Sequence, residues 1–243
     1  MASSNREATQ KAIHEAAVNV IAQHGFQAAS LRMIAKEVGI RAPSLYNYIE
    51  SKEQFLFDLL RVPLKAMADE FKAKTAGMTD PTTRLRVFVA VHLNFHLHAR
   101  KEVFIGNMEL RNLSKAHYKV IAGLRDDYSA LLTTLIEDGV RTGAFRAEAP
   151  RVTTFAVLAM LSGVCNWYRP DGLIAAEQLV EIHTELALNM LEPITRASMQ
   201  APKPHKLAKS AKPAAKTTSG GAAAATPARR VATTRRKSAA ATN

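Results

Sequence analysis

The sequence predicts an all-α protein, and three observations carry that prediction. Apolar residues recur at helical spacing through most of residues 6–191. Glycine and proline punctuate those stretches. Hairpin signals are missing: the Asp-Gly pairs at 138–139 and 171–172 follow helix-like stretches, and neither sits between alternating apolar runs.

The elements follow in order. Ser4-Asn5-Arg6-Glu7 reads as a capping box that opens a first helix. Ile13, Ala17, Val20 and Ile21 form its apolar stripe, Gly25 is a left-handed stop, and Phe26 is a hydrophobic plug. Ser30 caps a short second helix with Leu31, Ile34, Ala35 and Val38 facing inward, ended by Gly39. Pro43 suits the first turn of a third helix that runs to about Tyr48, because proline lacks the N–H that would be orphaned there. Ser51-Lys52-Glu53-Gln54 caps a fourth helix, which Pro63 is expected to kink.

Further helices are expected from Asp80-Pro81 onward, around 101–112, from about Lys115 to Arg141, from Val152 to Trp167, and over about 175–191. After Pro193 the composition turns to Ala, Lys, Pro, Thr, Arg and Gly. Such a segment buries too little apolar surface to offset its ordering entropy. The expected organisation is a head at 1–50, a helical body at 51–195 and a disordered basic tail at 196–243.

Bulk properties narrow the function classes. The chain has 243 residues, 47% of them apolar, enough to bury a sizeable core. The net charge is +12, but residues 201–243 hold six Lys and four Arg with no Asp or Glu. The rest is nearly neutral, so a nucleic-acid reading of the folded part must rest on motif. One cysteine, Cys165, excludes an internal disulfide framework and fits a reducing compartment. With no apolar leader and no run of about 18 apolar residues, a soluble cytoplasmic protein away from membranes is expected. No phosphate-cradling glycine loop, nucleophile elbow or paired-carboxylate motif appears, so neither an enzyme nor a cofactor is expected.

Helix, three-residue turn, short helix is the spacing of a helix-turn-helix, whose second helix enters the major groove of DNA. Ordinary bundles use the same spacing, so residue types must decide. In the third helix Leu45 and Ile49 can face a core. Pro43, Ser44, Tyr46, Asn47 and Tyr48 are left over as short or rigid groups able to reach phosphates or base edges. Lys52 lies in the first turn of a helix, where an acid would suit the macrodipole and a phosphate would satisfy both the lysine and the free N–H groups. The bland alternative is surface tyrosines and a solvated lysine.

The run from Gly25 to Phe55 resembles the N-terminal domain of TetR-type transcriptional repressors. The shared pattern is Gly-Phe, a Ser, I34-A-K-E-V-G39, and L45-Y-N-Y-I-E-S-K-E53, with Ile49 where the family has Phe and Asn47 where many members have another polar residue or Tyr. The resemblance implies an all-α homodimer with a DNA-binding head on a ligand-sensing body. It places Ser30, Arg41, Pro43, Ser44, Tyr46, Tyr48 and Lys52 at DNA-contacting positions. Tyr46 and Lys52 would clamp phosphates, and Arg41 and Ser44 would read bases. A single short recognition helix makes few base contacts, so dimerisation on a palindromic operator is the physical remedy. Val157, Leu158, Met160, Leu161 and Val164, with Leu179, Ile182, Leu186 and Met190, are candidates for that interface or for plain core.

In the body, N166-W-Y-R-P-D-G172 joins Trp167 and Arg169 at a helix end, where the arginine also opposes the helix dipole. This segment, with E109-L-R-N-L113 and R125-D-D-Y128, resembles the TetR subgroup that controls fatty-acid and sterol catabolism and senses acyl-CoA thioesters. That likeness implies a CoA end at Trp167 and Arg169 and an acyl group among Phe88, Val91, Phe95, Met108 and Leu124. Another hydrophobic effector is the alternative. His92 and His96 have i, i+4 spacing that two metal ligands could use, but no nearby Cys or acid completes a site. Both are expected to line the pocket or sit at the edge of the core, with no metal. The basic tail either adds salt-dependent phosphate contacts or is a solvated extension. A nucleoid-associated DNA-coating protein is therefore the rival from another class.

Overall fold

The structure, a computed structural model, describes residues 2–191. The expected tail lies outside them. Nine α-helices and one 3-10 turn account for the described fold, and no strand occurs among these residues.

Helix α1 (Ala2–Ala28) begins before Ser4, so Ser4 sits inside the helix instead of capping it. Gly25 interrupts α1 at φ 76°, ψ 158°, a conformation open essentially to glycine alone. The chain therefore turns at Gly25 and then makes one more helical turn through Ala28. Ser30 Oγ accepts from the Met33 N–H at 3.2 Å to open α2 (Leu31–Val38). Gly39 closes it in the left-handed conformation. Helix α3 (Ala42–Leu45) is shorter than expected. Its continuation tightens into i→i+3 bonds, from the Asn47 N–H to Ser44 O and from the Tyr48 N–H to Leu45 O.

Ser51 Oγ accepts from the Gln54 N–H at 2.9 Å and opens α4 (Lys52–Lys74), which continues through Pro63. The body then runs α5 (Pro81–His98), α6 (Arg100–Met108), the 3-10 turn Leu110–Asn112, α7 (Lys115–Thr142), α8 (Pro150–Trp167) and α9 (Ala176–Asn189). Asp80 caps α5, Ser114 caps α7, and Gly143 closes α7 in the left-handed conformation.

Two apolar cores form. The first joins α1, α2 and α3 to the start of α4, and Ile105 and Ile121 of the body complete it. The second fills the bundle of α4, α5, α7, α8 and α9. Leu64 packs against both, so α4 is the shared wall.

Val157, Leu161, Val164 and Leu179 are fully buried in the second core and are not interface residues. Burial between α8 and its own bundle accounts for them. Ile182, Leu186 and Met190 remain exposed at four-residue spacing along α9, as do Val152 and Phe155 on α8. Tyr118, near the start of α7, is exposed.

The end of α7 packs closely. A Cβ at Gly139 would lie 2.0 Å from the Phe145 ring. Gly139→Ala is expected to cost about 1–3 kcal/mol, read as a lower Tm; an unchanged Tm would contradict this packing.

Candidate DNA-contact surface and ligand cavity

The head leaves a compact set of side chains without a role in its core. Leu45 is fully buried, while Arg41, Pro43, Ser44 and Tyr46 around it are exposed, Tyr46 at 61%. A four-residue helix is too short to persist alone, so Leu45 and the buried Ile49 hold it on the head. Ser30 is exposed, but its hydroxyl caps α2. Tyr48 is half-buried against the head core and lines a cleft of about 590 Å³ between the head and the start of α4. Arg32 and Lys36, one turn apart on α2, are both exposed. Two basic residues at i, i+4 on a short helix are also what a solvated face carries, so the sequence alone does not single them out.

Lys52 turns inward. Its Nζ donates to the carbonyls of Phe26 (2.5 Å), Ala29 (2.8 Å) and Gln27 (3.3 Å) and lies 4.4 Å from the centroid of the Phe26 ring. An ammonium has three donors, so all are engaged. In this conformation Lys52 caps the end of α1 from the start of α4.

The same Phe26 peptide is held from the body. Glu109 Oε1 accepts from the Phe26 N–H at 3.1 Å, and Glu109 Oε2 accepts from Asn112 Nδ2 at 2.6 Å. Asn112 Oδ1 in turn accepts from Gln27 Nε2. The Gly25 conformation turns the Phe26 N–H toward this carboxylate. Helix α6 grips α1 twice more, through Lys101 to Asn19 at 2.7 Å and Glu102 to His14 at 3.9 Å. Nearby, Glu53 of α4 accepts from the Ser114 N–H and pairs with His117 at the start of α7. Burial opposes ionisation of Glu53, but those two partners outweigh it and hold its carboxyl below the usual range. His117 stacks on Phe57 with centroids 3.9 Å apart.

One turn from Glu109, α6 forms the wall of a cavity of about 310 Å³ bounded by α4, α5, α7 and α8. Leu60, Met67, Phe95, Val103 and Leu158 supply apolar surface. His92, His96, Tyr128 and Ser162 make a polar floor. Arg125 also lines it and donates to Gly106 O at 3.2 Å, tying α7 to α6.

Two family models match this chain. Residues 13–59 match "Bacterial regulatory proteins, tetR family", and residues 78–191 match "Tetracyclin repressor-like, C-terminal domain". The chain belongs to the TetR family. It is a DNA-binding transcriptional repressor with a ligand-binding C-terminal body, not an enzyme.

Among relatives, the HTH-type transcriptional repressor KstR2 of Rhodococcus jostii (strain RHA1) is 24% identical over 190 residues, covering 77% of this chain and 93% of that protein. The TetR-family regulator PfmR of Thermus thermophilus is 28% identical, with TM-score 0.67, over 74% of this chain and 99% of that one. AibR, solved with isovaleryl coenzyme A and operator DNA, is 24% identical with TM-score 0.65, over 73% of this chain and 97% of that one.

Within this TetR-family body, the expected ligand residues separate. His92 and Phe95 line the cavity. Phe88 and Val91 are buried in the core, with the Phe88 ring 5.1 Å from that of Tyr128. Leu124 packs against the head core, and Met108 is exposed at 55%. Trp167 is half-exposed and stacks on His183 of α9, and neither it nor Arg169 lines the cavity. A helix-end motif shows where α8 stops, not which face of the bundle is hollow. His96, which the sequence left between pocket and core edge, also lines it. Arg125, Tyr128 and Ser162 were not assigned to it. Their signal was the polar interruption of an apolar helix stripe, which a solvated face also produces.

His92 and His96 stack with centroids 3.9 Å apart instead of converging on one point. No group of three His, Cys, Asp or Glu side chains able to hold a metal occurs among the described residues. Burial pushes both imidazoles below their ordinary 6.5, and the neighbouring His96 adds to the shift at His92. The folded protein therefore takes up these protons less readily than the unfolded chain. Their contribution is intact above about pH 6.5 and is lost as pH falls toward the folded values. Tm is expected to drop between pH 7.5 and 5.5, and His92→Gln to flatten that dependence. An equally steep profile in the variant would contradict the assignment.

Proposed function

We propose that this protein is a homodimeric repressor of a palindromic operator, released when a hydrophobic acyl-CoA thioester fills the cavity between α4 and α8. The observation that carries the reading is α6. Val103 and Gly106 wall the cavity, and Glu109, less than one turn on, holds the Phe26 N–H of the head. A ligand that favours another position of α6 therefore favours another position of the head. Operator affinity falls by the ligand's preference between those two states.

Arg41 and Ser44 are placed to read bases, while Tyr46, with Arg32 and Lys36, contacts phosphates. Ser30, Pro43 and Tyr48 shape that surface, and Lys52 fixes its angle to α4. The exposed stripe Ile182, Leu186 and Met190, with Phe155, pairs two copies so that two heads meet one palindrome. The acyl group enters the apolar part of the cavity, and Arg125 at its wall opposes the anionic end. AibR, with its bound isovaleryl coenzyme A, supports this effector class.

Tyr46→Ala is expected to weaken operator and unrelated DNA alike, by roughly tenfold, with no change in Tm. Unaltered binding would remove Tyr46 from the contact surface. The whole reading is tested by fluorescence anisotropy on DNA from upstream of the gene, with a panel of CoA thioesters. Release by at least one thioester is expected; indifference to all of them would overturn the effector class.

A further inference from the structure

The floor of the cavity is too polar for a plain hydrocarbon chain. His96 Nδ1 lies 2.8 Å from the His92 carbonyl. A carbonyl only accepts, so this nitrogen carries the proton. In a neutral imidazole the other nitrogen, Nε2, is then an acceptor. It makes no hydrogen bond with the described residues. Arg100 Nε is the only buried side-chain nitrogen or oxygen without a partner among them, so His96 Nε2 opens to the cavity that His96 lines.

His92 sits between two hydroxyls, with Nδ1 3.3 Å from Tyr128 Oη and Nε2 3.1 Å from Ser162 Oγ. A neutral imidazole has one N–H and one lone pair. One hydroxyl therefore donates to His92, and the other accepts from it and keeps its own proton free. Both Tyr128 and Ser162 line the cavity. Whichever tautomer His92 adopts, the floor offers one acceptor, at His96, and one hydroxyl donor. The two imidazole rings stack 3.9 Å apart, close enough for one small group to meet both.

We propose that the part of the effector that enters this cavity carries a hydroxyl group, which donates to His96 Nε2 and accepts from the hydroxyl of Tyr128 or Ser162. This rests on the reading that the cavity is the effector site. A ketone would use the donor and leave the His96 lone pair unmatched. A saturated chain would leave both unmatched. A site built to bond a hydroxyl rejects the analogue that lacks it.

The test uses octanoyl-CoA, its 3-, 5- and 7-hydroxy forms and the matching keto forms, with the same acids as methyl esters in a second arm. Binding is measured by calorimetry on the full chain. At least one hydroxy isomer is expected to bind about tenfold or more tightly than both octanoyl and its keto partner. His96→Phe is expected to keep the ring stack and reduce that preference to near unity. Ser162→Ala combined with Tyr128→Phe removes the donor and should do the same if the first variant does not fold. Equal affinity for plain and hydroxylated chains, or a preference that survives in a folded variant, would overturn the proposal. Preference among methyl esters without binding of any thioester would sustain the hydroxyl and refute the CoA end. No binding in either arm would refute both.

Discussion

Leu45→Ala is expected to abolish specific operator binding while leaving the body folded. Helix α3 has four residues and gains almost nothing from its own hydrogen bonds. Leu45 is its one fully buried side chain, set in the same core as Ile34 and Leu56. Truncation to alanine removes about 2–5 kcal/mol from that small core. Arg41, Ser44 and Tyr46 then lose the fixed relative placement on which base reading depends. Operator affinity should fall by roughly 100-fold or more, with weak salt-dependent binding to any DNA remaining. Helical circular dichroism should change little, because the second core lies elsewhere. Operator binding within about threefold of wild type would show that α3 is not the reading helix.

Glu109→Ala is the second large effect, and it separates communication from binding. The carboxylate touches neither the cavity nor the DNA-facing residues, yet it bonds the Phe26 N–H whose carbonyl Lys52 holds. Without it, α6 can move and the head need not follow. The variant is expected to bind effector and operator nearly as the wild type does. The ratio of operator affinities without and with effector should collapse from an expected 5–150-fold, about 1–3 kcal/mol, toward unity. Glu109→Gln keeps an acceptor for the Phe26 N–H and should restore much of the ratio. Full release in the alanine variant would move the coupling to the Glu53–His117 contact or to Glu102–His14.

The head was legible in the sequence because short helices advertise their ends. Ser30, Gly39, Pro43 and Ser51 are each chosen by local backbone chemistry, and each end falls where that chemistry puts it. Ser4 misled because a capping box is a local signal that further upstream helix overrides. Lys52 and Glu109 were harder. Their partners lie 26 and 83 residues away, and no spacing rule encodes such contacts. The cavity was read only in part for the same reason. A helix such as α5 is apolar nearly all round, so periodicity cannot separate Phe88 in the core from Phe95 at the hollow. That distinction is made by how α4, α7 and α8 pack, which is a property of the whole bundle.

The most direct test of effector-released operator binding is a reciprocal titration. A thioester that raises Tm is titrated into the protein with and without saturating operator DNA, and the operator is titrated with and without that thioester. Linkage requires both affinities to fall by one and the same factor, expected between about 5 and 150. If the thioester binds and each ligand leaves the affinity of the other unchanged, cavity and head are not coupled, and the account is wrong.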